Sequence, residues 1–151
     1  GWNYFLGVCS PFVYGWKKGD GMLYNLALDR IHEMGAAPGE IYVENTIVDQ
    51  ETFFDNVIGV TKEINSKASK VRFWAASRQV PYIETKPFHE SQEIEKENED
   101  GSKVFRIRII INYELERKLL GYGSHIKVIE PLHLKQRIAN ELILAAERYR
   151  R

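Results

Sequence analysis

Cysteine is nearly missing from this sequence, with Cys9 standing alone among 151 residues. One thiol closes no internal disulfide and builds no CxxC metal knuckle, which favours a reducing, cytoplasmic setting. Cys9 lies in an apolar run and reads as a small buried hydrophobe, not a nucleophile. The four histidines, His32, His89, His125 and His133, share no spacing of three to five residues and have no cysteine partner. No metal site and no cofactor are therefore expected. Long apolar runs are absent too: no stretch of 18 uncharged apolar residues occurs, so no segment is expected to span a membrane. GxSxG, P-loop and GxGxxG patterns are missing. Glu114 and Glu116 form an acidic first-turn pair that the helix dipole accounts for without catalysis. No catalytic residue can be named, and the chain is not expected to be an enzyme. The opening Gly1-Trp2-Asn3 has neither an initiator Met nor a basic n-region, so it reads as part of a longer chain without a signal peptide.

What is present is ordinary globular material, 44% hydrophobic and 28% charged, enough to bury a core in one or two small domains. The formal net charge is zero but unevenly spread. Residues 1–60 carry three bases against eight acids, and residues 61–151 carry 18 bases against 13 acids. The halves thus bear −5 and +5, a two-module signal. The acidic first segment is no generic surface for a polyanion, because nucleic-acid affinity rests largely on phosphate neutralisation.

Hydrophobic periodicity and turn chemistry predict an α+β chain. Tyr4-Phe5-Leu6-Gly7-Val8-Cys9 is strand-like. Residues 15–21, with Lys17-Lys18-Gly19-Asp20 at the tip, form a hairpin loop, and residues 22–28 return as a strand. A further strand is expected over 41–43. Residues 49–58 read as a helix capped by Asp49 and stopped by Gly59, and 61–70 as a linker. A second unit over 71–151 follows. Its elements are a strand at 71–76, a helix at 81–86, and strands at 89–98 and 103–112 hinged on Asp100-Gly101. Next come a helix capped by Asn112, braced by a Glu114–Lys118 pair and ended at Gly121, and a strand at 126–129. A last helix opens at Pro131 with the apolar stripe Leu134, Ile138, Leu142, Ala145 and Tyr149. The order β-α-β-β-α-β-α is that of a ferredoxin-like module with an added C-terminal helix.

Two constellations carry chemistry. Tyr4, Leu6 and Arg30, with Phe5, are an aromatic strand facing a return strand that ends in a base. They form either barrel core with an Asp29–Arg30 turn, or a concave surface that stacks and ion-pairs an anionic ligand. Arg72, Trp74, Arg106 and Arg108 alternate along two strands expected to be neighbours. They form either a solvated or dimer-contacting sheet face or a nucleic-acid platform.

Tyr4-Phe5-Leu6-Gly7-Val8, followed by Leu26-Ala27-Leu28-Asp29-Arg30-Ile31, resembles the naming strand and the Phe-Arg-Leu-Asp-Arg-Ile strand of the WYL domain. The stretch from Phe53 to Gly59-Val60 is similar to that family's exit from the barrel. Asn112-Tyr113-Glu114-Leu115-Glu116, Leu119-Leu120-Gly121-Tyr122-Gly123, Val128-Ile129-Glu130-Pro131 and Arg148-Tyr149 are similar, in order and spacing, to the C-terminal extension of WYL regulators, the WCX domain. The resemblance spans nearly the whole chain and implies the C-terminal region of a bacterial transcriptional regulator. Residues 1–60 would be part of a WYL domain, an Sm/SH3-like β-barrel, followed by a linker at 61–70 and the ferredoxin-like WCX extension at 71–151. It further implies a cytoplasmic homodimer, DNA binding through an upstream winged helix-turn-helix domain, and a nucleotide, oligonucleotide or small-anion effector that shifts dimer geometry. Sixty residues supply too few strands to close a barrel, so closure by a partner chain or partial disorder is expected. The family's first arginine is Ala27 here and its tryptophan is Tyr4, which leaves Arg30 as the one basic ligand contact and favours a small ligand or none. A purely structural dimerisation module is the alternative.

Overall fold

The computed structural model describes residues 66–150 and 51–62 without a break, together with Asp49, two strands near the start, and His32, Glu33, Gly35, Pro38 and Gly39. The chain divides into two compact units, Gly1–Phe53 and Phe54–Arg151. In the first, β1 (Tyr4–Val8) and β2 (Leu23–Ala27) pair antiparallel, with Tyr4 opposite Ala27 and Leu6 opposite Asn25. Both strands lie within the expected strands at 4–9 and 22–28. The expected hairpin tip at 15–21 and the strand at 41–43 lie outside the described residues.

The second unit is built on a four-stranded antiparallel sheet of β3 (Ser69–Ala75), β4 (Glu93–Glu97), β5 (Lys103–Ile109) and β6 (Ile126–Glu130), ordered β4-β5-β3-β6. Strict alternation decides which face is inside. Val71, Phe73 and Ala75 of β3 and Phe105, Ile107 and Ile109 of β5 are fully buried. Three helices supply the other half of that core: α1 (Val80–Thr85) gives Val80 and Ile83, α2 (Tyr113–Leu120) gives Leu115 and Leu119, and α3 (Leu132–Tyr149) gives Leu134 and Ile138. Phe73 stacks between Phe88 and Phe105, with ring centroids at 5.1 and 5.5 Å. Offset aromatic stacking of this kind adds to the burial of each ring.

The β4–β5 hairpin turns at Asp100-Gly101, as its turn chemistry requires. Gly101 holds φ +77°, a left-handed conformation that favours glycine. The Asp100 carboxylate accepts from Ser102 N–H at 2.9 Å and Ser102 Oγ at 2.6 Å. Lys103 reaches Glu84 of α1 and Glu97 of β4 at 2.7 and 2.8 Å, tying helix to hairpin. The pairing shifts by one residue twice, between Ile94 and Lys96 in β4 and beside Arg72 where β3 meets β6.

Three expectations are corrected. Residues 51–56 make turns instead of a helix, although Asp49 does cap them through Glu51 N–H and Thr52 Oγ1. Val57 N–H donates to Phe54 O, an i→i+3 turn bond, and the next two carbonyls turn to tertiary donors: Asp55 O accepts from His89 and Asn56 O from Ile110 N–H. The strand expected from 89 begins only at Glu93, because His89, Ser91 and Gln92 fold a turn with their own side chains. Ser91 N–H donates to His89 Nδ1, and Gln92 accepts from Phe88 N–H. The Glu114–Lys118 pair does not form. Lys118 sits over the Phe88 ring at 4.3 Å, and Glu114 bonds elsewhere. No helix among the described residues is long and apolar enough to cross a membrane.

Candidate functional site

The sheet has one face covered by helices and one open, and the arginine row lies on the open one. Register places Arg72 directly opposite Arg106, Lys70 opposite Arg108, and Trp74 between Val104 and Lys127. The four sequence-predicted residues Arg72, Trp74, Arg106 and Arg108 are thus brought together on one surface. Like charges directly opposite each other destabilise a sheet unless they are compensated. Carboxylates on the outer strands compensate one of these pairs. Arg72 bonds Glu95 of β4 at 2.6 Å and Glu130 of β6 at 3.0 Å, and Arg106 pairs with Glu93 of β4. The Glu95 hydrogen bond is the main cause that holds the Arg72 guanidinium above its ordinary pKa. Reciprocally, the Arg72 hydrogen bond holds the Glu95 carboxyl below the usual carboxylate range. All these groups reach solvent, so each pair contributes little stability alone. At the other end of the row Lys70 and Arg108 are exposed and form no ion pair among the described residues. The surplus positive charge is concentrated there.

Of the ligand candidates in the first unit, Tyr4 and Leu6 lie two residues apart on β1, opposite Ala27 and Asn25 of β2. Arg30 lies outside the described residues. Among the described residues no three His, Cys, Asp or Glu side chains gather as a metal site would require.

Two features escaped the sequence reading. The first is the binding of residues 54–61 to the rest of the second unit. Asn112 caps α2 by accepting from Leu115 N–H at 2.9 Å, and its Nδ2 donates to Ile58 O at 2.8 Å and Thr61 O at 3.0 Å. Glu114 Oε1 accepts from Val60 N–H, Thr61 N–H and Thr61 Oγ1 at 3.4, 3.2 and 2.7 Å. His89 Nδ1 accepts from Ser91 N–H, so Nε2 carries the proton and donates to Asp55 O at 2.5 Å. These partners stand 34 to 54 residues apart in sequence, and no local pattern announces them.

The second feature is the far end of α3. The helix has 18 residues and is about 27 Å long. Its stripe is buried at Leu134 and Ile138 and half-buried at Leu142, but Ala145 is exposed and Tyr149 is 93% exposed. Residues 142–146, Leu-Ile-Leu-Ala-Ala, are apolar all round the helix, and Ile143 and Leu144 are half exposed or more. A helix apolar on every side normally lies buried.

Residues 67–145 match the family model of the WCX domain, a domain found in WYL-associated regulators. The match covers just over half of the chain, and the chain belongs to that family. No curated protein matches it. A WCX domain points to a regulatory C-terminal region.

Proposed function

We propose that this chain is the effector-sensing and dimerisation region of a cytoplasmic, DNA-binding transcriptional regulator. In this reading residues 1–60 are part of an Sm-like WYL barrel. The second unit, with its β4-β5-β3-β6 order and two helical crossovers, is a ferredoxin-like module extended by α3. DNA would be read by a domain upstream, and a small anion, nucleotide or oligonucleotide held near Tyr4, Leu6 and Arg30 would shift the dimer equilibrium.

The observation that carries the reading is the exposed apolar end of α3. Glu141 and Arg148 stand seven residues apart, nearly on one helix face, and flank that apolar segment. A two-fold antiparallel crossing centred between Leu144 and Ala145 sets each Glu141 against the Arg148 of a second copy and covers Leu144 and Ala145. Isologous contacts of this kind need only one self-complementary patch. Sedimentation equilibrium of the full chain tests it. Leu144→Glu should shift a dimer to monomer without loss of helical content, and a dimer that persists unchanged overturns the α3 interface. Sensing is tested separately on the whole regulator, by following operator binding during titration with nucleotides and short single-stranded DNA. If neither ligand class changes operator affinity while the dimer persists, the chain is a plain dimerisation module, and Arg30→Ala then leaves regulation intact.

A second reading, the open sheet face as a nucleic-acid platform, draws on Lys70, Arg108 and the half-buried Trp74. Against it, Arg72 and Arg106 are already held by three glutamates. Binding of single-stranded DNA that weakens with salt, and weakens less steeply in Lys70→Ala plus Arg108→Ala, would favour this platform.

A further inference from the structure

We infer that residues 54–61 are a releasable strap, locked onto the second unit at the N-terminus of α2 by Glu114 and Asn112. Each of these side chains serves both strap and helix. Asn112 spends its carbonyl oxygen on the helix cap and its amide on two strap carbonyls. Glu114 sits in the first turn of α2, where the helix dipole favours a carboxylate, and its Oε1 gathers three strap donors. Farther along the strap, Asn56 O accepts from Ile110 N–H at 2.7 Å, Asp55 O accepts from His89, and Ile58 packs against the core.

The lock is incomplete. Among the described residues Glu114 Oε2 is buried and has no hydrogen-bond partner. A carboxylate oxygen taken from water without compensation costs free energy that opening the strap restores. Fit on the strap side is equally tight. Gly59 holds φ +76°, and a Cβ there would lie 2.7 Å from Glu114 Cγ. The strap is therefore held by good bonds around one uncompensated atom, as suits an element that opens locally while the sheet stays folded. Release would turn the eight residues 54–61 into free tether for the chain preceding Phe54, with an r.m.s. reach of about 16 Å. The same event withdraws two of the three partners of the Asn112 side chain, so a pull on the strap is felt at the α2 cap.

Amide hydrogen exchange on the full chain, read residue by residue, tests this in two ways. In the wild type, Val60, Thr61 and Ile110 should exchange together and faster than Phe73, Phe105 and Ile107, because Ile110 N–H is protected by the strap and not by the sheet. In Glu114→Ala, and independently in Gly59→Ala, exchange at Val60, Thr61 and Ile110 should accelerate at least tenfold with the β3 and β5 amides unchanged. If Ile110 follows the sheet amides in the wild type, the strap is not a unit. If strap amides do not respond to either variant, Glu114 is not the lock. Equal acceleration throughout the second unit would make Glu114 an ordinary stabilising residue and overturn the inference as well.

Discussion

Replacing Asn112 separates two jobs that one side chain performs. Its oxygen caps α2, a contribution of about 1 kcal/mol for a side chain of this type. Its Nδ2 donates to Ile58 O and Thr61 O, each such bond adding about 1 kcal/mol net. Serine caps a helix about as well as asparagine but is too short to reach either carbonyl. Asn112→Ser is therefore expected to lose about 2 kcal/mol and Asn112→Ala about 3 kcal/mol, the difference being the cap alone. For a unit of this size these losses correspond to melting shifts of roughly 8–16 °C and 12–24 °C. The assay is urea unfolding at constant m-value. Trp74 is the only tryptophan after residue 53, so its fluorescence, with Trp2 and Trp16 replaced by Phe, reports the second unit by itself. A serine variant as stable as the wild type would refute the view that the amide holds residues 58–61. Serine and alanine variants of equal stability would refute the capping role.

Phe73→Ala removes the middle ring of the Phe88–Phe73–Phe105 stack from a fully buried site, and denaturant unfolding should record a loss of about 3–5 kcal/mol. Gly101→Ala forces a side chain into the left-handed region, with its Cβ 3.2 Å from Ser77 Cβ, and should cost about 1–2 kcal/mol by the same measurement. The Ser102 hydroxyl, followed by the Ser102 N–H, holds the Asp100 carboxyl below its ordinary pKa. Because the folded value lies below the unfolded one, Asp100 adds stability that is complete above the unfolded pKa and lost as pH falls through the folded one. A carboxyl titration by NMR should show the Asp100 midpoint rising in Ser102→Ala, and an unmoved midpoint would count against that hydrogen bond.

Elements governed by local rules were legible in the sequence. Alternation marked β3 and β5, Asp100-Gly101 marked the β4–β5 hairpin, Asn112 and Gly121 bracketed α2, and the α3 stripe was read as far as Leu142, beyond which Ala145 and Tyr149 are exposed. The neighbouring arginines could be placed on one face because a period of two leaves no other choice. What could not be read was the partner of each charge. Glu93, Glu95 and Glu130 look like solvated residues until pairing sets them beside Arg106 and Arg72. The segment 49–58 carries a helical pattern, yet its chain makes turns and is held by long-range bonds from His89 and Ile110 that no local pattern announces. Glu114 was explained by the helix dipole, a sufficient local reason that concealed its bond to Thr61.

The single-residue shift in the β3–β6 pairing reaches beyond strand geometry. Were the register continuous past Phe73 and Val128, Ile129 would lie opposite Arg72 and Glu130 opposite Val71, on the helix-covered side. The extra residue turns the last position of β6 over, so an acidic side chain leaves the apolar layer and lands beside a guanidinium. The bulge thus works as a sorting step between oil and charge. Were Ile129 instead taken into the ladder opposite Arg72, a carboxylate would enter the interior with no change of composition.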